Sequence, residues 1–160
     1  MVSSTVKTGV NMLNQKTSVE NVTDVIQVMR AGVEFYQDAI EKVSNPALKS
    51  TFTKMATKKA TAIQALQPLA IAEQGDIEGG SSFAVESRKI YTKFVAVFSS
   101  DEDYTYIKQL EEVEDKVLEV LDDAIDKNQQ GQALLILTNI RADAQSMHDE
   151  MKTLQQLQKN

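Results

Sequence analysis

Cysteine and tryptophan are absent from the 160-residue sequence, and histidine occurs once. Without cysteine the chain can form no disulfide, zinc ribbon or thiol nucleophile. A single histidine leaves little room for acid–base catalysis, and the sequence contains no Gly-rich phosphate loop, Ser/His/Asp arrangement or HExxH motif. We therefore expect a protein that is not an enzyme and that needs no cofactor, with iron or zinc as the metals to consider if one binds.

Long hydrophobic runs are also missing. The longest aliphatic run covers residues 133–137, far short of the ~20 residues that span a bilayer. No charged and then apolar segment opens the chain, so we predict no secretory signal, no membrane association and a cytoplasmic location. The formal net charge of −6 and the pI near 4.8 argue against nucleic acid as a partner.

Only two prolines and six glycines interrupt the chain, so long helices are expected. Apolar residues at steps of three and four predict helices over residues 19–43, from 46 to about 69, from about 103 to 127 and from 131 to about 157. The glycine-rich residues 74–82 and a short helix over 83–98 would join the second helix to the third. Two tight hairpins linked by such a long crossover predict an all-α, ferritin-like four-helix bundle. Residues 1–16 are expected to be a flexible N-terminal segment, and residues 17–160 a single domain.

Several residues mark the predicted helix ends. Thr17 with Glu20 forms a capping box for the first helix. Asn45 is placed to cap the second helix and Pro46 to occupy its first position. Pro68 should kink or end that helix.

The two predicted hairpins resemble each other. A shift of 85 positions lays the sequence DAIEK of residues 38–42 on DAIDK of residues 123–127, and Pro46 on Gly131. This match predicts an internal duplication and a bundle with approximate two-fold symmetry.

Glu114 stands where the core row of the third helix requires an apolar residue. A carboxylate that faces a core needs a partner. Gln145 should share its layer, and His148 lies one turn further along the fourth helix. Glu114, His148 and Gln145 are therefore the candidate metal ligands, although most of a di-iron ligand set is missing: Met29 stands where helix one would supply a glutamate.

Lys59 lies at the same depth in the core row of the second helix. A buried layer of Glu114, Lys59 and Gln145 would satisfy the carboxylate without a metal, the ammonium taking the electrostatic role of a cation. In the alternative, Lys59 extends outward along the rim of the helix and leaves Glu114 to Gln145, His148 and water.

The chain resembles a bacterial family of ferritin-like four-helix bundles of unknown function. The resemblance rests on residues 31–39 (AGVEFYQDA), 45–49 (NPALK), Glu114-Asp115 and His148-Asp149, and it covers about residues 19–157. It implies the ferritin-like topology, a cytoplasmic bacterial setting and no assigned activity. Residues matching Glu114 and His148 recur in that pattern, whereas an acidic residue is common where this chain has Ala31.

Three functions remain open from the sequence. The first is a non-enzymatic bundle, stress-associated or engaged in protein interactions, that retains a degenerate metal site and forms a homodimer. The second is a metal-binding or ferroxidase-type protein that uses Glu114 and His148. The third is a docking module for a basic protein, because residues 101–127 hold eleven acidic residues and three lysines.

Overall fold

A computed structural model describes residues 18–81 and 103–159. The predicted N-terminal segment 1–16 and the predicted short helix 83–98 lie outside these residues. Within them the chain forms four helices and no strand: α1 (Val22–Lys42), α2 (Pro46–Gln74), α3 (Asp103–Lys127) and α4 (Gly131–Lys159). The all-α prediction and the four predicted helices are confirmed.

The helices form two hairpins with three-residue connections, 43–45 and 128–130. α1 packs against α2 and α3, and α4 packs against α3 and, less extensively, α2. The hydroxyl of Ser44, just after α1, donates to Asp103 at the start of α3, and Glu20 bonds to Asn128 at the end of α3. α1 and α3 are therefore antiparallel, and α2 and α3 lie on a diagonal of the bundle and run in the same direction.

The hairpins share the offset found in the sequence. α1 and α3 end 85 positions apart, at Lys42 and Lys127, and α2 and α4 begin 85 positions apart, at Pro46 and Gly131. The turns of the two hairpins thus lie at equivalent positions, 85 residues apart.

The start of α2 agrees with the sequence signals, whereas the start of α1 does not. The Asn45 side chain accepts from the Ala47 amide and Pro46 is the first residue of α2, as predicted. α1 starts three residues later than predicted, and its N-cap Asn21 makes no side-chain capping bond. Glu73 from the end of α2 accepts from the amides of Val22 and Thr23 instead, so a distant carboxylate satisfies this helix end.

Pro68 does not end α2, which contradicts one of the two outcomes predicted for it. The helix continues for six more residues to Gln74 and stops at Gly75, whose φ of 89° lies in the left-handed region. Leu69 and Ala70, which follow the proline, are buried in the core. Their burial favours continued helix and offsets the missing hydrogen bond.

The core runs the length of the bundle between the four helices. Its fully buried large side chains are Ile26, Met29, Tyr36, Phe52, Met55, Lys59, Leu66, Tyr106, Ile107, Leu110 and Leu121. Lys59 is the one cationic residue in this set, and it belongs to a polar layer within the core. Across the described ranges, no helix has the length and apolar character that crossing a membrane requires.

Candidate functional site

Lys59 and Glu114 meet in the centre of the bundle. Lys59 Nζ lies 2.6 Å from Glu114 Oε1, and both side chains have no solvent exposure. The two residues come from diagonally opposed helices, so their pair spans the core from α2 to α3. The carboxylate and the ammonium neutralise each other, which offsets the cost of burying either charge.

Tyr36 from α1 occupies the second oxygen of the same carboxylate. Its hydroxyl donates to Glu114 Oε2 over 2.5 Å and lies 3.4 Å from Met55 Sδ. Burial, together with the charge and hydrogen bond of Glu114, raises the pKa of Tyr36 well above its usual value of 10.0. The phenol therefore stays protonated and acts as a donor at neutral pH.

The stem of Lys59 passes closely along α1. The Nζ atom lies 5.7 Å from the centroid of the Tyr36 ring. A Cβ atom on Gly32 would lie 3.2 Å from Lys59 Cε and 3.3 Å from Val113 Cγ1. Gly32 thus provides the space in which the lysine stem lies.

The offset of 85 positions shows that this layer is present only once. Lys59 corresponds to Ala144, and Glu114 corresponds to Met29; both of these counterparts are buried. Positions 59 and 114 thus hold an ion pair, whereas the corresponding positions 144 and 29 hold two apolar residues.

His148 lies in a different group of side chains, between α3 and α4. Its Nε2 is 2.6 Å from Asp115 Oδ1 and its Nδ1 is 3.3 Å from Asp149 Oδ1. Glu111, one turn before Asp115, completes a cluster in which one ligand atom from each of Glu111, Asp115 and His148 lies within 4.8 Å of the others. Glu114 does not belong to this cluster.

Gln145 hydrogen-bonds along α4. Its Oε1 accepts from Arg141 and its Nε2 donates to Asp149. This donation, followed by the contact with His148, lowers the pKa of Asp149 below its usual 3.8. Of the three candidate metal ligands, Glu114 is therefore bonded to Lys59 and Tyr36, while Gln145 and His148 both contact Asp149.

Sequence reasoning missed three residues that matter here. Tyr36 was read as part of an apolar stripe, although its buried hydroxyl needs a partner. Glu111 and Asp115 lie in the acidic run of residues 101–127, which predicts a docking surface without distinguishing one carboxylate from another. Their spacing of four residues, which places both on one side of α3, opposite the only histidine, was the signal that could have identified them.

The two groups differ in what they can do chemically. The carboxylate in the core has both oxygens engaged and is closed to solvent, so it cannot transfer a proton to an external molecule. The flank cluster combines an imidazole with two carboxylates and is open on one side, because Asp115 is exposed. This second group has the composition of a divalent metal site.

Comparison with known proteins identifies a family. No curated protein and no solved structure matches the chain. The family described as Domain of unknown function (DUF2383) matches residues 17–127, a span that includes α1, α2, α3 and the whole Tyr36–Glu114–Lys59 layer. Because this span exceeds half of the sequence, the chain belongs to the DUF2383 family.

Proposed function

We propose that this chain is a non-enzymatic, ferritin-like bundle that acts by binding at its surface. Its role is that of an interaction protein or of a stress-associated protein. In this proposal Lys59 fills the interior position that a metal ion takes in metal-dependent bundles. The observation that carries it is that both oxygens of Glu114 are taken, by Lys59 and Tyr36.

The charges of the layer argue against a catalytic metal there. A dication placed beside Glu114 would have to displace the ammonium of Lys59 or lie next to it, and like charges in a low-dielectric interior repel strongly. The carboxylate also has no free oxygen with which to bind the ion. A lysine is a cation that the chain supplies itself, independent of the metal supply.

Helix direction supports the ferritin-like part of the proposal. α2 ends where α1 begins, because Glu73 caps α1, and α3 begins where α1 ends, because Ser44 bonds to Asp103. The connection between α2 and α3 must therefore cover the length of the bundle, about 30 Å for a helix of this size. A crossover between two hairpins is the arrangement found in ferritin-like folds. The cytoplasmic bacterial setting belongs to the same proposal and rests on the family resemblance.

The first test is an assay of iron oxidation. We expect aerobic oxidation of iron(II) with the full-length protein to proceed at the rate of buffer alone. A saturable acceleration that Glu114→Gln abolishes and Asp123→Asn retains would overturn the proposal, because it would place a ferroxidase centre in the core.

The second test asks whether the core contains a cation position. Lys59→Ala removes three methylene groups and the ammonium, which together match n-propylammonium. We expect this cation to raise the thermal midpoint of Lys59→Ala more than the neutral n-propanol does at equal concentration, and to leave the wild type unchanged. Equal effects of the two additives would show that the site requires only filled volume.

The metal-binding or ferroxidase-type alternative needs Glu114 and His148 in one site. His148 instead shares a cluster with Glu111 and Asp115. An iron or zinc site that includes Glu114 would therefore require the layer to open, and we favour the non-enzymatic function for that reason.

The docking alternative depends on the acidic surface of α3. Three exposed carboxylates on this helix contact cationic or ionisable groups of the bundle itself: Asp115 contacts His148, Glu119 contacts Lys116 and Asp122 contacts Arg141. These contacts reduce the charge available to a basic partner. Association that weakens with salt would favour docking.

The homodimer also remains a proposal. Its candidate surfaces are the predicted short helix over residues 83–98 and the apolar flank of α3. The first lies outside the described residues, and in α3 the apolar residues Val113, Val117 and Leu118 are buried within the chain. Sedimentation equilibrium of the full-length protein would measure its oligomeric state.

A further inference from the structure

The flank between α3 and α4 holds a cluster that the proposed function does not use. Glu111 and Asp115 lie one turn apart on α3, and His148 faces them from α4. One ligand atom from each residue lies within 4.8 Å of the others. Three ligands on two packed helices are held by the fold and not by a loop.

A second observation concerns one carboxylate oxygen of Glu111. Glu111 Oε2 has no solvent contact and, among the residues described, no hydrogen-bond partner. A buried carboxylate oxygen without a partner carries a desolvation cost that a bound cation would relieve.

We infer that Glu111, Asp115 and His148 form a binding site for one divalent transition metal of the zinc class. Imidazole nitrogen favours zinc and its first-row neighbours, whereas magnesium and calcium prefer oxygen ligands alone. Three protein ligands leave one coordination position for water, because Zn²⁺ is usually four-coordinate. Two carboxylates also match the charge of a dication.

The surroundings of His148 support this inference. Asp149 Oδ1 lies 3.3 Å from Nδ1, while Asp115 lies at Nε2. A carboxylate near Nδ1 orients the imidazole ring and favours the tautomer in which Nε2 can bind a metal.

This site is independent of the closed core. Its ligands do not include Tyr36, Lys59 or Glu114, and its one exposed ligand, Asp115, gives an ion access from solvent. A metal here would leave the lysine–glutamate pair intact.

The experiment uses the fact that His148 is the only histidine. Nitrogen-15 NMR of the full-length protein, prepared without a histidine tag, reports this one imidazole during a Zn²⁺ titration. We expect the Nε2 resonance to shift and to saturate at one Zn²⁺ per chain. An imidazole spectrum that excess Zn²⁺ leaves unchanged would overturn the inference.

Variants distinguish the site from general attraction to an acidic surface. Glu111→Gln, Asp115→Asn and His148→Ala should each weaken Zn²⁺ binding at least about tenfold in calorimetry. Asp123→Asn, which removes the same charge from an exposed position of α3, should bind Zn²⁺ as the wild type does. An equal loss in Asp123→Asn would contradict the inference, and the titration of the wild type decides the question even if one variant fails to fold.

Discussion

Lys59 and Glu114 join the two hairpins across the diagonal of the bundle, with Nζ and Oε1 2.6 Å apart and both side chains closed to solvent. Removing water from two charges costs several kcal/mol for each ion. Their mutual attraction, with the hydrogen bond from Tyr36, offsets that cost only while all three groups are present. Removing only some of the three groups is therefore expected to destabilise the fold.

The first prediction concerns the loss of one charge. Lys59→Met and Glu114→Gln should each lower the free energy of unfolding by about 3–5 kcal/mol, because each leaves a buried charge unpaired. The triple variant Tyr36→Phe/Lys59→Met/Glu114→Leu, which removes every polar group of the layer, should unfold at or above the wild-type denaturant midpoint. Chemical denaturation measures all three. If Lys59→Met alone matched the wild type, the pair would contribute nothing.

The second prediction concerns Tyr36. Tyr36→Phe keeps the ring and removes the donor to Glu114 Oε2, so the free energy of unfolding should fall by about 1.5–3 kcal/mol. The pKa of Tyr36 is raised in the folded protein. Its contribution is therefore complete below the unfolded value of 10.0 and is lost as the pH rises toward the folded value.

Alkaline titration would check this directly. Between the wild type and Tyr36→Phe, the difference in tyrosinate absorbance should stay flat through pH 10 and appear only as the protein unfolds. An early difference, at the ordinary phenol pKa, would mean that the hydroxyl reaches solvent.

The third prediction concerns Asn128, which ties the start of the first hairpin to the turn of the second. Its Oδ1 accepts from the Glu20 amide, and its Nδ2 donates to the carbonyls of Glu20 and Ala124. Asn128→Asp has the same shape but brings a carboxylate against two carbonyl oxygens. We expect a loss of about 1–3 kcal/mol, together with faster exchange of the Glu20 amide. Gln129→Glu, an exposed neighbour, is the matched control and should change neither quantity.

The fourth prediction concerns Gly32. In an open helix, alanine in place of glycine stabilises by about 1 kcal/mol. Here the new Cβ would lie 3.2 Å from Lys59 Cε, and the lysine cannot move away because its ammonium is held by Glu114. We expect Gly32→Ala to lower the denaturant midpoint.

A double-mutant cycle isolates the cause of that loss. Gly32→Ala should cost less, or stabilise, when it is introduced into Lys59→Ala. If the cost were the same in both backgrounds, contact with Val113 and not with Lys59 would be responsible.

Periodicity and turn residues were sufficient to predict the four helices, because helix faces and tight turns are encoded locally. The Asn45–Pro46 start of α2 and the end of α3 at Lys127 are examples. The cap of α1 could not be found in the same way, since Glu73 reaches it from 51 positions away along the chain. The predicted end of α2 at Pro68 was wrong because burial of the following residues outweighs a local penalty.

The same division applies to the candidate site. A charged residue on a core row is visible in the sequence, and it singled out Glu114 and Lys59 together. The third member, Tyr36, was hidden because a tyrosine fits an apolar stripe whether or not its hydroxyl has a partner. Gln145 bonds along its own helix, to Arg141 and Asp149 one turn away on either side. Whether it meets Glu114 depends on the rotation of α4 in the bundle, which the sequence pattern does not specify to within one residue.

The single occurrence of the ion pair determines which hairpins can associate. Two first hairpins packed together in the same geometry would place each Lys59 against the counterpart of Glu114, which is Met29, and would bury two ammonium groups without a counterion. Two second hairpins would bury two Glu114 carboxylates against Ala144. Only the packing of a first hairpin against a second hairpin brings Lys59 to Glu114 and neutralises the layer. The asymmetry of one buried pair thus favours packing of the first hairpin on the second over packing of either hairpin on a copy of itself.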